Sequence, residues 1–189
     1  MNIQKAEKEQ ARSIARLIMM AMTEECCLYY IGTGQTLEDF YNTMTALVES
    51  EHSQYSYSNT LVATGDNGDI IGISTSYDGA KLHELREAFI NAARKDFGRD
   101  FNGMADETQA GELYLDSLAV EPSFRKRGVA TALLKATIQK AQGMGLPAVG
   151  LLVDKGNPKA EQLYTSIGFK YVNDSTWGGH AMKHLQYKI

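Results

Sequence analysis

The run Leu118-Ala119-Val120-Glu121-Pro122-Ser123-Phe124-Arg125-Lys126-Arg127-Gly128-Val129-Ala130-Thr131 is the most chemically informative part of the chain. It reads as the end of a strand, a turn of three consecutive cations and the start of a helix close to a glycine. The first amides of a helix have no acceptor inside it and carry the positive end of its dipole. Such a terminus takes a phosphate or pyrophosphate. Gly128 lets the backbone approach that ligand, and the small side chain of Ala130 leaves room for it. The chain has neither the Gly-Lys-Ser/Thr of a Walker loop nor a GxGxxG fingerprint. Nucleoside triphosphatase and nicotinamide chemistry are therefore not expected.

A second constellation follows at Asn157-Pro158-Lys159-Ala160, continuing through Leu163-Tyr164 to Gly168-Phe169. Asn caps a helix, Pro suits its first position and Gly ends it. The spacing Arg125-x-x-Gly128-x-Ala130 after Leu-Ala-Val resembles the acetyl-CoA loop of the GNAT superfamily of N-acetyltransferases, and the Asn157 to Phe169 segment is similar to that family's Asn-x-x-Ala-x-x-x-Tyr-x-x-x-Gly-Phe pattern. The resemblance is specific over Glu112 to Val172. It implies an α/β (α+β) fold with a mixed, mostly antiparallel central sheet flanked by helices, and acyl-CoA in the splay between the fourth and fifth strands.

The resemblance also implies roles. Amides of Arg125, Lys126, Arg127, Gly128, Val129, Ala130 and Thr131 would hold the pyrophosphate. Backbone groups of Leu118, Ala119 and Val120 would pair with the pantetheine arm, with the Val120 amide on the thioester oxygen. Asn157 would bond the pantetheine and Lys159 a CoA phosphate. Tyr164 would protonate the departing thiolate, and Asp116 would act as base towards the amine, directly or through water. Simple alternation puts Asp116 on the side of Tyr114 and Val120, unless a bulge intervenes. The implied reaction is direct attack of a primary amine, on a small molecule or a protein, upon acetyl-CoA. A module that binds acyl-CoA without turnover is the alternative, and Tyr164 with Asp116 favours the enzyme. Family habit adds a homodimer as an expectation.

Other reactive residues are read more plainly. Cys26 and Cys27 are adjacent, too close to staple a fold and too few for structural zinc, so they are expected as reduced thiols near a helix end. His180 and His184 lie four apart with no acidic or cysteine ligand beside them, so no metal is expected and substrate contact remains open. Asp78, Asp106 and Glu107 are candidates for attracting a cationic amine, and Tyr55-Ser56-Tyr57 and Trp177 for lining a pocket.

These groups need elements to position them. Helical stripes run through Ala11, Ile14, Ala15, Ile18 and Met22, through Leu37, Phe40, Tyr41, Met44 and Leu47, and through Leu82, Leu85, Phe89, Ala92 and Ala93. Later ones join Ala130, Leu133, Leu134, Ile138 and Ala141, then Ala160, Leu163, Tyr164 and Ile167. Strands are expected near residues 3–5, 59–64, 70–75, 113–120, 147–153, 169–172 and 181–187. The Asn67-Gly68 pair marks a hairpin turn. Residues 98–111 have no clear period. One domain over 1–189 is expected, with divergent or inserted helical segments around 30–57 and 77–111.

Composition fits this scheme. The 189 residues carry 19 Lys and Arg against 23 Asp and Glu, a net charge of −4, which disfavours a general nucleic-acid binder. No apolar run approaches the ~18–20 residues that span a bilayer. Leu17 to Met22 lies too far along the chain for a secretory signal and has no cleavage pattern after it. A soluble, cytoplasmic protein is the expectation.

Overall fold

A computed structural model describes all 189 residues, Met1–Ile189. The elements run β1 (Asn2–Lys5), α1 (Ala11–Met22), α2 (Glu24–Tyr30), α3 (Leu37–Glu49), β2 (Thr60–Thr64), β3 (Ile70–Asp78), α4 (Leu82–Phe97), β4 (Leu113–Val120), α5 (Val129–Gly143), β5 (Ala148–Asp154), α6 (Pro158–Ile167), β6 (Lys170–Trp177) and β7 (His180–Lys188). One seven-stranded sheet has the order β1-β2-β3-β4-β5-β7-β6. Every pairing is antiparallel except β4 with β5. This is the mixed, mostly antiparallel sheet that the sequence implied.

Helices cover both faces because each has one apolar stripe to bury. Ile14, Leu17 and Ile18 of α1 join Phe40, Met44 and Val48 of α3 and Phe89 of α4 in the largest core cluster. On the other face Leu134, Ile138 and Ala141 of α5 pack on Leu113, Leu115, Val149 and Leu151. A buried polar seam sits under α5: Ser74 and Thr137 hydroxyls lie 2.6 Å apart, and Lys140 Nζ donates to the carbonyls of Asn59 and Ser76 at 2.8 and 2.7 Å.

Three elements depart from the sequence expectation. Helix α2 has only seven residues, too short for a periodic stripe, and starts at Thr23, whose side chain accepts from the Cys26 amide. Strand β3 continues through Ser76-Tyr77-Asp78, beyond the expected 70–75 and into the segment expected to be helical, because these residues pair with Leu115, Tyr114 and Leu113. Strand β6 extends through the polar run Asn173 to Thr176 because β7 supplies its hydrogen bonds. The connecting Gly178-Gly179 has φ of +58° and +81°, and such a two-residue turn matches the twist of a hairpin.

Two irregularities shape the middle of the sheet. Between Thr75 and Ser76 the β3–β4 register shifts: Thr75 faces Ser117 and Ser76 faces Leu115, so Asp116 is the extra residue of a bulge. The β4–β5 pairing covers only Leu113–Val149 and Tyr114–Gly150, after which the two strands diverge.

Candidate active site

Where β4 and β5 part, a cleft of about 500 Å³ opens. Ser117 and Leu118 line it from β4, Leu152 to Asp154 from β5, and Asn157, Ala160 and Tyr164 from α6. The α1–α2 corner lines one side, and the β6–β7 turn, with Trp177, Gly178 and His180, lines another.

The backbone of β4 is offered to this cleft. Glu121 N–H donates to Ile71 O at 2.9 Å, so the alternating antiparallel ladder ties Ala119 to Ile73. Leu118 and Val120 therefore turn their N–H and C=O groups away from β3, towards the side that β5 has left. Val120 lies beyond the cleft lining; its carbonyl accepts from Arg125 Nε at 3.1 Å, and its side chain packs with Val129 and Leu133. Leu118 is the member of the Leu118-Ala119-Val120 run that lines the cleft beside Tyr164.

The bulge resolves the facing of Asp116. Val120 packs under α5, whereas Ala119 joins the α1–α3–α4 cluster and Tyr114 packs with Tyr77, Leu82 and Leu85. Asp116 lies with Tyr114 and Ala119 and not with Val120, because the extra residue reverses the alternation. Ser117 Oγ donates to its Oδ1 at 2.8 Å and Gln54 Nε2 to its Oδ2 at 3.4 Å. Burial lifts the carboxyl to about 6, against the pull of those two donors and of Arg86. Tyr164 also faces the cleft; burial pushes its hydroxyl up to about 12, so it holds its proton at neutral pH.

The turn before α5 suits an anion. Gly128, the N-cap, has φ +81° and Lys126 has φ +60°, a left-handed conformation that a side chain rarely adopts. The first helical bond is Ala132 N to Gly128 O, leaving the amides of Val129, Ala130 and Thr131 without intrahelical acceptors. Lys126, Arg127 and Gly128 are exposed; the Arg127 guanidinium rests on the Phe124 ring at 5.3 Å. Exposed Arg125 turns back towards Val120 O and Met20 Sδ. Asn157 Oδ1 caps α6 through Ala160 N at 3.2 Å, which leaves its Nδ2 for the cleft. Lys159 is exposed in the first turn of α6.

Of the other candidates, Glu107, Tyr55, Trp177 and His180 reach the cleft. Glu107 is paired with Arg86 and accepts from Tyr77 Oη at 3.1 Å; His180 Nδ1 lies 3.2 Å from Asp154. Asp106 pairs with Arg86 and His83, Asp78 caps the turn at Ala80, and Tyr57 Oη donates to Glu51. His184 does not line the cleft: its Nε2 is 2.9 Å from the buried Glu112 carboxylate, which also accepts from Gln186 and Thr108. No cluster of three or more His, Cys, Asp or Glu converges as a metal site, and no helix is long and apolar enough to cross a membrane.

The α1–α2 corner escaped the sequence reading as a cleft wall: Thr23, Glu25, Cys26, Tyr29 and Tyr30 all line the cleft there. Gln54, on a loop that carries no motif, reaches Asp116 without lining the cleft. Cys26 is distant in sequence from the recognisable motifs yet lines the same cleft, and burial pushes its thiol up to about 11. A thiol so reluctant to ionise is a poor nucleophile.

Comparison with known proteins points one way. The acetyltransferase (GNAT) family model matches residues 19–169. A [ribosomal protein bS18]-alanine N-acetyltransferase of Haemophilus ducreyi is 38% identical over 66 residues, 35% of this chain and 46% of that protein. A mycothiol acetyltransferase of Nocardioides is 29% identical over 86 residues, 46% of this chain and 26% of that protein. The matched stretches thus span less than half the length of these curated relatives. Among solved structures, one acetyltransferase superposes with a TM-score of 0.82 at 29% identity, covering 100% of this chain and 99% of that one. An N-acetyltransferase from Staphylococcus aureus Mu50 superposes at 0.81 with 20% identity, covering 99% and 100%.

Proposed function

We propose that this chain, which belongs to the acetyltransferase (GNAT) family, transfers an acetyl group from acetyl-CoA to a primary amine by direct attack in the β4–β5 cleft. The observation that carries the reading is the parting of β4 and β5 beyond Tyr114 and Gly150, which opens one cleft to Leu118, Tyr164 and Asp116. When bound, acetyl-CoA supplies an acyl carbon activated as a thioester.

The residues present fit that donor. The unpartnered amides of Val129, Ala130 and Thr131, with those of Arg125 to Gly128, would hold the pyrophosphate, and Lys159 a further phosphate. Leu118 and Val120 would pair with the pantetheine arm as a neighbouring strand does, and Asn157 Nδ2 would donate to it. Leu118 N–H, and not Val120 N–H, is the donor assigned to the thioester oxygen, because Leu118 is the one beside Tyr164 in the cleft. One such donor is worth ~100- to 1000-fold in rate.

Asp116 would take a proton from the incoming ammonium, leaving the nitrogen its lone pair. Its lifted pKa of about 6 suits a base working near neutrality. Leu118 N–H would stabilise the negative charge on the carbonyl oxygen while the C–N bond forms and the C–S bond breaks. Tyr164 would give its proton to the departing sulfur and regain one as the new amide nitrogen loses its surplus proton through solvent. No thiol need be acylated: Cys26 lines the cleft but stays protonated.

Calorimetric titration with acetyl-CoA tests the reading, on the parent and on Arg125→Glu with Gly128→Asp. Micromolar binding by the parent, lost in the variant, is the expected result, followed by free-thiol release with an amine. A folded parent that does not bind acetyl-CoA overturns it. Binding without thiol release by any amine would instead indicate a module that holds acyl-CoA without turnover.

A further inference from the structure

Arg86 of α4 is 4% exposed, yet it lines no part of the cleft. Its guanidinium donates to Met104 O at 3.3 Å, to Ala105 O at 3.0 Å and to Asp106 Oδ1 at 3.3 Å, and it pairs with the Glu107 carboxylate. One side chain thus holds residues 104–107, which lie outside helix and strand, against α4. Of these residues only Glu107 lines the cleft; it is 5% exposed, and its Oε1 accepts from Tyr77 Oη at 3.1 Å. Packing alone would be served as well by apolar residues of similar volume, because taking two charges out of water costs about as much as their attraction returns. Arg86 Nε is moreover buried with no acceptor.

Two chains of contact run from this pair to Asp116. Gln54 N donates at 3.2 Å to the carbonyl of Leu85, the residue before Arg86, and Gln54 Nε2 donates to Asp116 Oδ2 at 3.4 Å. On the other side Tyr77, the donor to Glu107, meets the Tyr114 ring edge to face at 5.7 Å, and Tyr114 shares its face of β4 with Asp116. The other titratable groups around Asp116 are Cys26 and Tyr30 of α2, Tyr55, Tyr77 and Tyr114, with Tyr164 of α6 across the cleft. Burial raises all six, so none is charged at neutral pH. Glu25 and His180 are exposed to water, Asp154 is paired with His180, and Glu112 with His184. Arg86 is the cation that pulls on the Asp116 carboxyl, and a charge in a dry interior acts over a longer distance than one in water.

We propose that Arg86 and Glu107 are positioning residues for Asp116: by fixing residues 104–107 on α4 and burying one matched pair of charges beside it, they hold its carboxyl in place and set the pH at which it becomes a base. The proposal rests on the acetyl-transfer reading for the task of Asp116, but the effect on its proton does not. The two charges act in opposite directions. Glu107→Gln leaves the Arg86 charge unmatched, which favours the Asp116 carboxylate and lowers the pH at which it ionises. Arg86→Met combined with Glu107→Gln removes both charges, and with them the pull of Arg86, so that pH rises. Arg86→Lys keeps the charge and should leave it near the parent value.

Carbon NMR of the protein labelled at its aspartate carboxyls follows the titration of Asp116 directly, its signal assigned by its loss in Asp116→Asn. Free-thiol release from acetyl-CoA, with whichever of putrescine, 2-phenylethylamine and a hexapeptide with a free N-terminal alanine is acetylated, gives the acidic limb of kcat/KM. The titration midpoint is expected to fall by about half a pH unit or more in Glu107→Gln and to rise by a similar amount in the double variant, with the limb following it. A purely structural pair would slow all variants without moving either in opposite directions. Should Glu107→Gln fail to fold, the double variant, which buries no lone charge, decides by itself. An unmoved midpoint, a midpoint that falls in the double variant, or an Arg86→Lys that shifts as far as the double variant overturns the proposal. Midpoints that move as expected in a protein that releases no thiol with any amine would support the action of the pair and sink the transfer reading. Thiol release whose limb stays fixed while the midpoints move would keep the transfer reading and overturn the proposal.

Discussion

Asp116 is held where an ionised carboxylate is unfavourable, and this couples its proposed role to stability. The unfolded chain loses this proton near 3.8 and the folded chain near 6, so folding binds more protons between those values. Stability therefore falls as pH rises from 3.8 to 6, and the penalty persists at neutral pH. Asp116→Asn should raise the melting temperature at pH 7, by an amount on the order of 1–3 kcal/mol of stability. Gln54 can turn its amide so that its unpartnered Oε1 meets the new donor. The same variant should lose ~100- to 10,000-fold in turnover, and kcat/KM of the parent should rise with pH through about 6. A variant that is neither more stable nor less active would remove Asp116 from the mechanism. Tyr164→Phe is expected to lower kcat while leaving the amine KM nearly unchanged, since its hydroxyl serves the leaving sulfur. At this scale Tyr164 and Asn157 were legible from their spacing. The facing of Asp116 was not, because a bulge is a property of two paired strands.

Among the elements, the start of α6 and the join of β4 to β5 bear most on the cleft. Asn157 both caps α6 and offers Nδ2 to the cleft. Asn157→Ala should cost about 1 kcal/mol of stability by loss of the cap and also weaken acetyl-CoA binding. Asn157→Ser keeps a capping oxygen and should restore stability but not affinity, which calorimetry and thermal melting together would separate. At the other end of the splay, the Glu112 carboxylate lies against Gly150 and accepts from His184 and Gln186 of β7. It thereby ties the approach to β4 across β5 to β7. A Cβ at Gly150 would overlap that carboxylate, so Gly150→Ala should destabilise by more than about 2 kcal/mol, read by denaturant unfolding. Burial alone would raise the Glu112 pKa, but the donors His184, Gln186 and Thr108 hold it below 4.5. Its contribution is full above 4.5 and is lost as pH falls through the lowered folded value. The α5 and α6 termini were readable from caps and stripes; the Glu112–His184 tie joins residues far apart in the chain and leaves no local trace.

Across the whole molecule, α5 is fixed to the sheet by packing and by the polar seam that ends in Lys140. Burial, with some help from the charge of Lys5, lowers the Lys140 ammonium from 10.5 to about 8. Between those values the unfolded chain binds the extra proton, so this group makes stability rise with pH from about 8 to 10.5. Lys140→Met should flatten that rise while lowering overall stability, because the Asn59 and Ser76 carbonyls lose their donor. Unfolding curves at about pH 8 and pH 10 for both proteins provide the check; an unchanged difference between the two pH values would discount the seam.

Local sequence was enough to establish the helices with long apolar stripes, most strand positions, the glycine turn that starts α5 and the caps of the helix that carries Tyr164. Those features depend on periodicity, caps and turn residues, all set within about a dozen neighbouring positions. Three others took assembly of the sheet: that Asp116 faces Tyr114 and Ala119, that Leu118 and not Val120 meets the cleft, and that Cys26, Tyr30 and Trp177 come together around it. These outcomes follow from which distant strand supplies a hydrogen-bonding partner and where that pairing stops. Local propensity holds no information about a partner dozens of residues away, so the bulge, the splay and the gathering of the cleft walls appear only once the strands have paired.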